Sequence, residues 1–174
     1  NAQKSVTDAQ TNLADVTAKA DNDLNALYGK SGDLLNDSYT KAFDALYNKT
    51  DGIFKSYNKN DDIYNSGSSE QPALAILLSN ATLAVSLEQG RPLQSQTLLL
   101  MKAEIDGMGS APSNIDQTLA NALTHLASVR DYLNNLSNAL NYAVISPSLT
   151  QSQVSLYKTN VTAGITNLNT ALTS

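Results

Sequence analysis

Apolar residues recur at helical spacing along the first fifty positions. Val6, Ala9, Leu13, Val16, Ala20, Leu24 and Leu27 are separated by 3, 4, 3, 4, 4 and 3 residues, close to a coiled-coil heptad. The run resumes at Leu35, Tyr39, Ala42, Leu46 and Ile53. The step from Leu24 to Leu35 is eleven residues, and such a step relaxes a left-handed supercoil. Gly29 and Gly32 sit at this change of phase. The spacing predicts one helix over about 1–55, roughly 75 Å long at 1.5 Å per residue. It is bent near the two glycines, with a break there as the alternative.

The pattern vanishes from Ser56 to Gln71, where Asn58-Lys-Asn-Asp-Asp-Ile-Tyr-Asn-Ser-Gly-Ser-Ser69 is dense in turn formers and reads as an exposed loop. Pro72 suits a first helical turn, and Leu74, Leu77, Leu78, Ala81 and Val85 form a stripe that ends at Gly90. Pro92 opens another short helix carrying Leu93, Leu100, Met101, Ile105 and Met108. Gly107, Gly109 and Pro112 stop it, and Asn114 with Gln117 offers a cap for the next. A regular heptad follows at Ile115, Leu119, Ala122, Leu126, Val129, Leu133, Leu136, Leu140 and Ala143. Ser146-Pro147-Ser148 interrupts it, because proline cannot continue a helical ladder. Thr150 with Gln153 is a capping box, and Val154, Tyr157, Val161, Ile165, Leu168 and Leu172 mark the last helix.

These lengths predict an all-α fold: an antiparallel coiled-coil stem of the first and last helices leading into a four-helix bundle. In one domain over 1–174, residues 1–27 pair with 150–174, and residues 33–145 make the bundle. The fourth and fifth helices then run in one direction past Pro147. A reversal at Ser146 to Ser148 is the alternative topology.

Composition narrows the partners. The chain is 41% apolar but 16% charged, so Asn, Ser, Thr and Gln supply polar faces that are not ionic. A net charge of −5 leaves no basic patch for phosphate, which argues against nucleic acid. With no Cys there is neither a disulfide framework nor a thiolate site. The most apolar stretch, Ala73 to Leu87, is broken by polar residues and falls short of the roughly 20 apolar residues of a membrane span. Uncapped helical patterns at both ends, and no signal-peptide pattern, read as a piece of a longer, anchored protein.

Candidate chemistry is sparse. His125 is the single histidine, lies beside Ala122 and Leu126, and is expected to be solvated. Zinc, serine-hydrolase and histidine acid–base sites therefore lack their parts. The loop from Asn58 resembles a calcium loop, but its sixth and twelfth positions are Ile63 and Ser69 where Gly and an acid are needed. Only a weak, irregular cation site through Asp61 and Asp62 is left open. Tyr39, Tyr47, Tyr57, Tyr64, Tyr132 and Tyr142 belong to the bundle half or its loop. They read as boundary aromatics with wet hydroxyls, and alternatively as the lining of a ligand cleft. No catalytic, cofactor or metal residue is assigned.

Two segments carry a resemblance. Ala9-Gln-Thr-Asn-Leu13-Ala-Asp-Val16-Thr-Ala-Lys-Ala20 and Val161-Thr-Ala-Gly-Ile165-Thr-Asn-Leu168-Asn-Thr-Ala-Leu172 resemble the two strands of the α-helical hairpin in HlyD-type periplasmic adaptors, or membrane fusion proteins. The middle, from Asp44-Ala-Leu-Tyr47 through Thr50-Asp-Gly-Ile-Phe54, is similar to a hairpin carrying an inserted helical module. The lipoyl-like and barrel halves of such adaptors are absent from this sequence, as is the Arg-Leu-Ser tip motif of those that meet an outer-membrane channel. The resemblance implies a non-catalytic spacer and contact element of an export or efflux assembly. Such an element lies outside the cytoplasm, works with an inner-membrane transporter, and self-associates through its helical seams. The alternative is an extracytoplasmic helical-bundle sensor domain of a chemoreceptor or histidine kinase; a passive surface stalk is a third reading.

Overall fold

The computed structural model describes residues 2–55, 73–109 and 112–173. It is all-helical, with no strand among the described residues. Helix α1 spans Ala2–Phe43 and runs unbroken through Gly29 and Gly32. It widens into a π-helical turn at Asp44–Asn48, where the Lys49 amide donates to the Asp44 carbonyl at 3.0 Å. The wider turn turns three consecutive side chains inward, Ala45, Leu46 and Tyr47. Helix α2 spans Ala81–Gly107, α3 spans Pro112–Ala139 with a 3₁₀ turn at Leu140–Tyr142, and α4 spans Gln151–Thr173.

Contacts between helices fix their directions. Across α2 and α3, Tyr132 donates to the Leu87 carbonyl, Ser128 to Gln94, and Asn121 to Glu104. Gly164 of α4 approaches Leu133 of α3, and Lys158 donates to Asn141. On the α1 side, Gly164 lies against Ala45, Tyr157 against Gly52, and Gly32 against Met108. Each neighbour is thus antiparallel, an up-down-up-down bundle of residues from about 31 of α1 onward with α2, α3 and α4. Leu46, Leu87, Leu126, Leu133, Leu136 and Leu168 are buried along its axis, each worth roughly 1.5–3 kcal/mol on removal from water.

Three expectations are corrected. The last helix does not run on down a stem beside residues 1–27. Between Ser146 and Leu149 each amide donates to the other's carbonyl, at 3.0 and 3.1 Å, so Pro147-Ser148 turns the chain back. The expected capping box then starts α4: the Gln153 amide donates to Thr150 Oγ1, and the Thr150 amide to Gln153 Oε1. Val154, Val161, Leu168 and Ala171 are buried in the bundle, and every described residue from 2 to 27 is exposed.

Nor are there two short helices between Pro72 and Met108. Residues 73–79 are extended, with Leu74, Ile76 and Leu78 buried and Ala75 and Leu77 exposed in alternation. They cap the top of the bundle through Ala75 to Ile53 and Val144 to Leu77 backbone bonds. The helix begins later, where Asn80 Oδ1 accepts from the Leu83 amide at 3.0 Å. It passes through Gly90 and Pro92 because both flanks, Leu87 and Arg91 to Leu98, are held in the core. Gly90 serves a close approach: a Cβ there would lie 2.9 Å from the Tyr132 ring. Helix α3 likewise starts at Pro112, so Asn114 sits in its first turn and is not its cap.

The glycines provide a paired test. Gly29→Ala, with nothing within 4 Å of the added methyl, should stabilise by up to about 1 kcal/mol through helix propensity. Gly90→Ala should destabilise by about 1–2 kcal/mol, because Tyr132 is pinned by its hydroxyl and cannot retreat. Urea midpoints measure both, and a higher midpoint for Gly90→Ala would contradict the packing described.

Candidate functional site

The feature with most unsatisfied chemistry is the projecting half of α1. Residues 2–30 reach about 43 Å at 1.5 Å per residue and lie outside the bundle. Their seam is wet: Val6 is 57% exposed, Leu13 68%, Val16 66% and Leu27 59%. Thr7, Thr11 and Thr17 each spend their hydroxyl on the carbonyl four residues back. One exposed pair, Lys4 with Asp8 at 3.1 Å, adds little. A helix of this composition is marginal in water when nothing packs on it. The seam also continues onto the face that α1 buries higher up, at Leu35, Ser38 and Ala42.

Where the seam meets the bundle floor it opens into an apolar cleft of ≈ 370 Å³. Leu34 and Leu35 of α1, Leu119 and Leu123 of α3, and Ala171 and Leu172 of α4 line it. Leu123 is 49% exposed at its rim.

His125 is not the solvated residue expected. Its side chain is 17% exposed, and Nε2 lies 3.1 Å from Glu104 Oε2. Asn121 donates to the other oxygen of Glu104 at 3.1 Å, so the three side chains clamp α2 to α3. Only the antiparallel register of α2 and α3 brings Glu104 to His125, and no local spacing discloses it. Among the described residues no group of three His, Cys, Asp or Glu could hold a metal. Asp61 and Asp62, with Tyr57 and Tyr64, lie outside the described residues.

Tyr47 and Tyr132 are core residues, not boundary ones, and the Tyr132 hydroxyl donates to the Leu87 carbonyl out of water. Tyr39 is half-buried and Tyr142 exposed. Sequence reasoning missed Arg91, which is 4% exposed. Its guanidinium lies 5.1 Å from the Tyr47 ring centroid and 4.9 Å from that of Phe54. Nη1 donates to Thr50 Oγ1, while Nε has no hydrogen-bond partner among the described residues. Two aromatic faces replace part of the lost hydration, and the contact ties α2 to the turn after α1. An Arg set between Gly90 and Pro92 was the available signal.

No described helix is long and apolar enough to cross a membrane. No family model, curated protein or solved structure matches the chain.

The aromatic clamp on Arg91 can be measured. Arg91→Lys should cost about 1–3 kcal/mol, since a compact ammonium neither stacks on two rings nor reaches Thr50 with a fixed fork. Arg91→Met should cost less, because it fills similar space with no buried charge. Guanidinium melts that rank Lys above Met in stability would remove the aromatic contacts from the account.

Proposed function

We propose that this chain is a non-catalytic helical spacer and protein-interaction domain of an export or efflux adaptor. It belongs, on this reading, to an anchored, extracytoplasmic protein that works with an inner-membrane transporter. The observation that carries the reading is the stiff, projecting α1 with its continuous wet seam. The energetic demand of the molecule lies on a surface that needs another helix, whereas Glu104, Asn121, His125 and Tyr132 find their partners between its own helices.

The bundle supports the same reading. Residues 34–43 of α1, with the π-helical turn and the chain through Gly52, ascend beside residues 157–172 of α4, which descend toward the floor. An antiparallel pair of this kind is what a hairpin requires, and α2 with α3 then form the inserted module. The resemblance of Val161 to Leu172 to a hairpin strand is carried inside the bundle rather than beside residues 6–27. The mechanism is mechanical: a rod sets a distance and an apolar seam meets a partner.

A sensor domain is the second reading, favoured by the up-down-up-down order with an apolar cleft at the floor. Leu13→Asp with Val16→Asp, placed in the full-length protein in its own cell, separates the two. The adaptor reading expects export of a fluorescent efflux substrate to fall at least tenfold while the bundle keeps its melting temperature. Unchanged export with an altered signalling output would defeat it in favour of the sensor.

A further inference from the structure

We propose that the projecting seam of α1 pairs with the same seam of a second copy of this chain, antiparallel, about an axis beside Val16. The proposal rests on reading that seam as the interaction surface, and it names the occupant.

The first argument is self-complementarity. Read backwards from Leu27, the seam reproduces itself within one residue. Val6 comes opposite Leu27 of the second copy, Ala9 opposite Leu24, Leu13 opposite Ala20, and Val16 beside the other Val16. Each alanine therefore meets a leucine, the large-against-small alternation by which facing layers interdigitate without voids. A parallel, in-register pair sets Ala9 on Ala9 and Ala20 on Ala20 and leaves two gaps. An isologous pairing of this kind also closes on itself, as two-fold interfaces do.

The second argument is steric. The seam faces the side that α4 and α3 occupy from Leu34 upward, where Ala171, Leu172 and Leu119 sit. A parallel partner on that face continues past its own residue 30 as helix, because α1 is unbroken to Phe43. It would run into the last turn of α4. The antiparallel partner instead carries its bundle away to the far end, giving a rod with a bundle at each tip.

Charge and area agree. On one edge of the seam, Lys19 and Asp23 come near Asn12 of the second copy; on the other, Asp21 comes near Gln10. No like charges are opposed. Val6, Leu13, Val16, Leu24 and Leu27, all 42% or more exposed, leave on the order of 500 Å² of side chain wet per copy. A pair then buries on the order of 1,000 Å² from these residues alone, the scale at which a specific interface begins.

The absence of cysteine from the chain makes the register readable. Sedimentation of the 174-residue chain at tens of micromolar should give twice the chain mass. Leu13→Asp should weaken association at least tenfold without moving the melting of the bundle. Under mild oxidation Val16→Cys should cross-link to itself nearly completely. Val6→Cys alone should stay at background, and a mixture of Val6→Cys with Leu27→Cys should form the mixed pair. Self-cross-linking of Val6→Cys shows a parallel pair and overturns the proposal. So does a monomer at every concentration with no Val16→Cys product, a result that leaves the spacer reading to be judged by export.

Discussion

The bundle depends on one close contact, the approach of α4 to α1 at Gly164. A Cβ at that position would lie 3.2 Å from Ala45 Cβ and 3.3 Å from Ala45 Cα, with Leu133 at 3.4 Å. Two small residues on facing helices let the backbones come near enough for Val161 and Leu168 to be fully enclosed above and below. Close packing gains many weak dispersion contacts that a larger residue would forfeit. Once α4 occupies this slot, the face of α1 from Leu35 to Leu46 is covered and the face from Val6 to Leu27 is not. The division of the molecule into bundle and projecting rod follows from that.

Polar groups inside the bundle are placed where helices must be held in register. Tyr132 to the Leu87 carbonyl, Ser128 to Gln94, and Asn121 with His125 to Glu104 form a ladder between α2 and α3 from top to bottom. Each rung has a buried or half-buried donor that loses its partner if the helices slide, so the ladder selects one register more than it adds net stability. Arg91 works differently. Its charge is enclosed between Tyr47 and Phe54 and bonded to Thr50, which anchors the turn after α1 to the middle of the bundle's top half.

The top and the floor of the bundle differ in kind. Extended residues 73–79 and the segment around Ala143 cross the top and bond to one another and to Ile53, so helix ends there are covered by backbone. Among the described residues the floor has no such lid: Leu34, Leu119, Leu123 and Leu172 open toward the rod. A continuous apolar line therefore runs from the floor cleft down the seam of α1, the surface proposed above to meet a second helix.

Periodicity alone determined that the chain is helical and that Thr150 with Gln153 starts the last helix; it left a break at Gly29 and Gly32 open, and the structure closed it. These depend on residues within one or two turns of each other, where spacing and caps act directly. It also marked the seam of Val6, Leu13, Val16 and Leu27, because an apolar stripe is visible whether or not anything covers it. The partner of each stripe was decided only in three dimensions. Val161 and Leu168 have the same heptad spacing as a stem strand, and only the turn at Pro147-Ser148 and the space beside Ala45 send them into the bundle. Gly90 and Pro92 read as a stop, yet a helix held on both sides by buried neighbours runs through them. The alternation of Leu74, Ile76 and Leu78 was in the sequence but hidden by Leu77, an apolar residue facing water. Arg91 between two rings and His125 against Glu104 join residues 21 to 44 positions apart. Such pairs are set by packing of whole helices, and packing is a property of surfaces that no local pattern specifies.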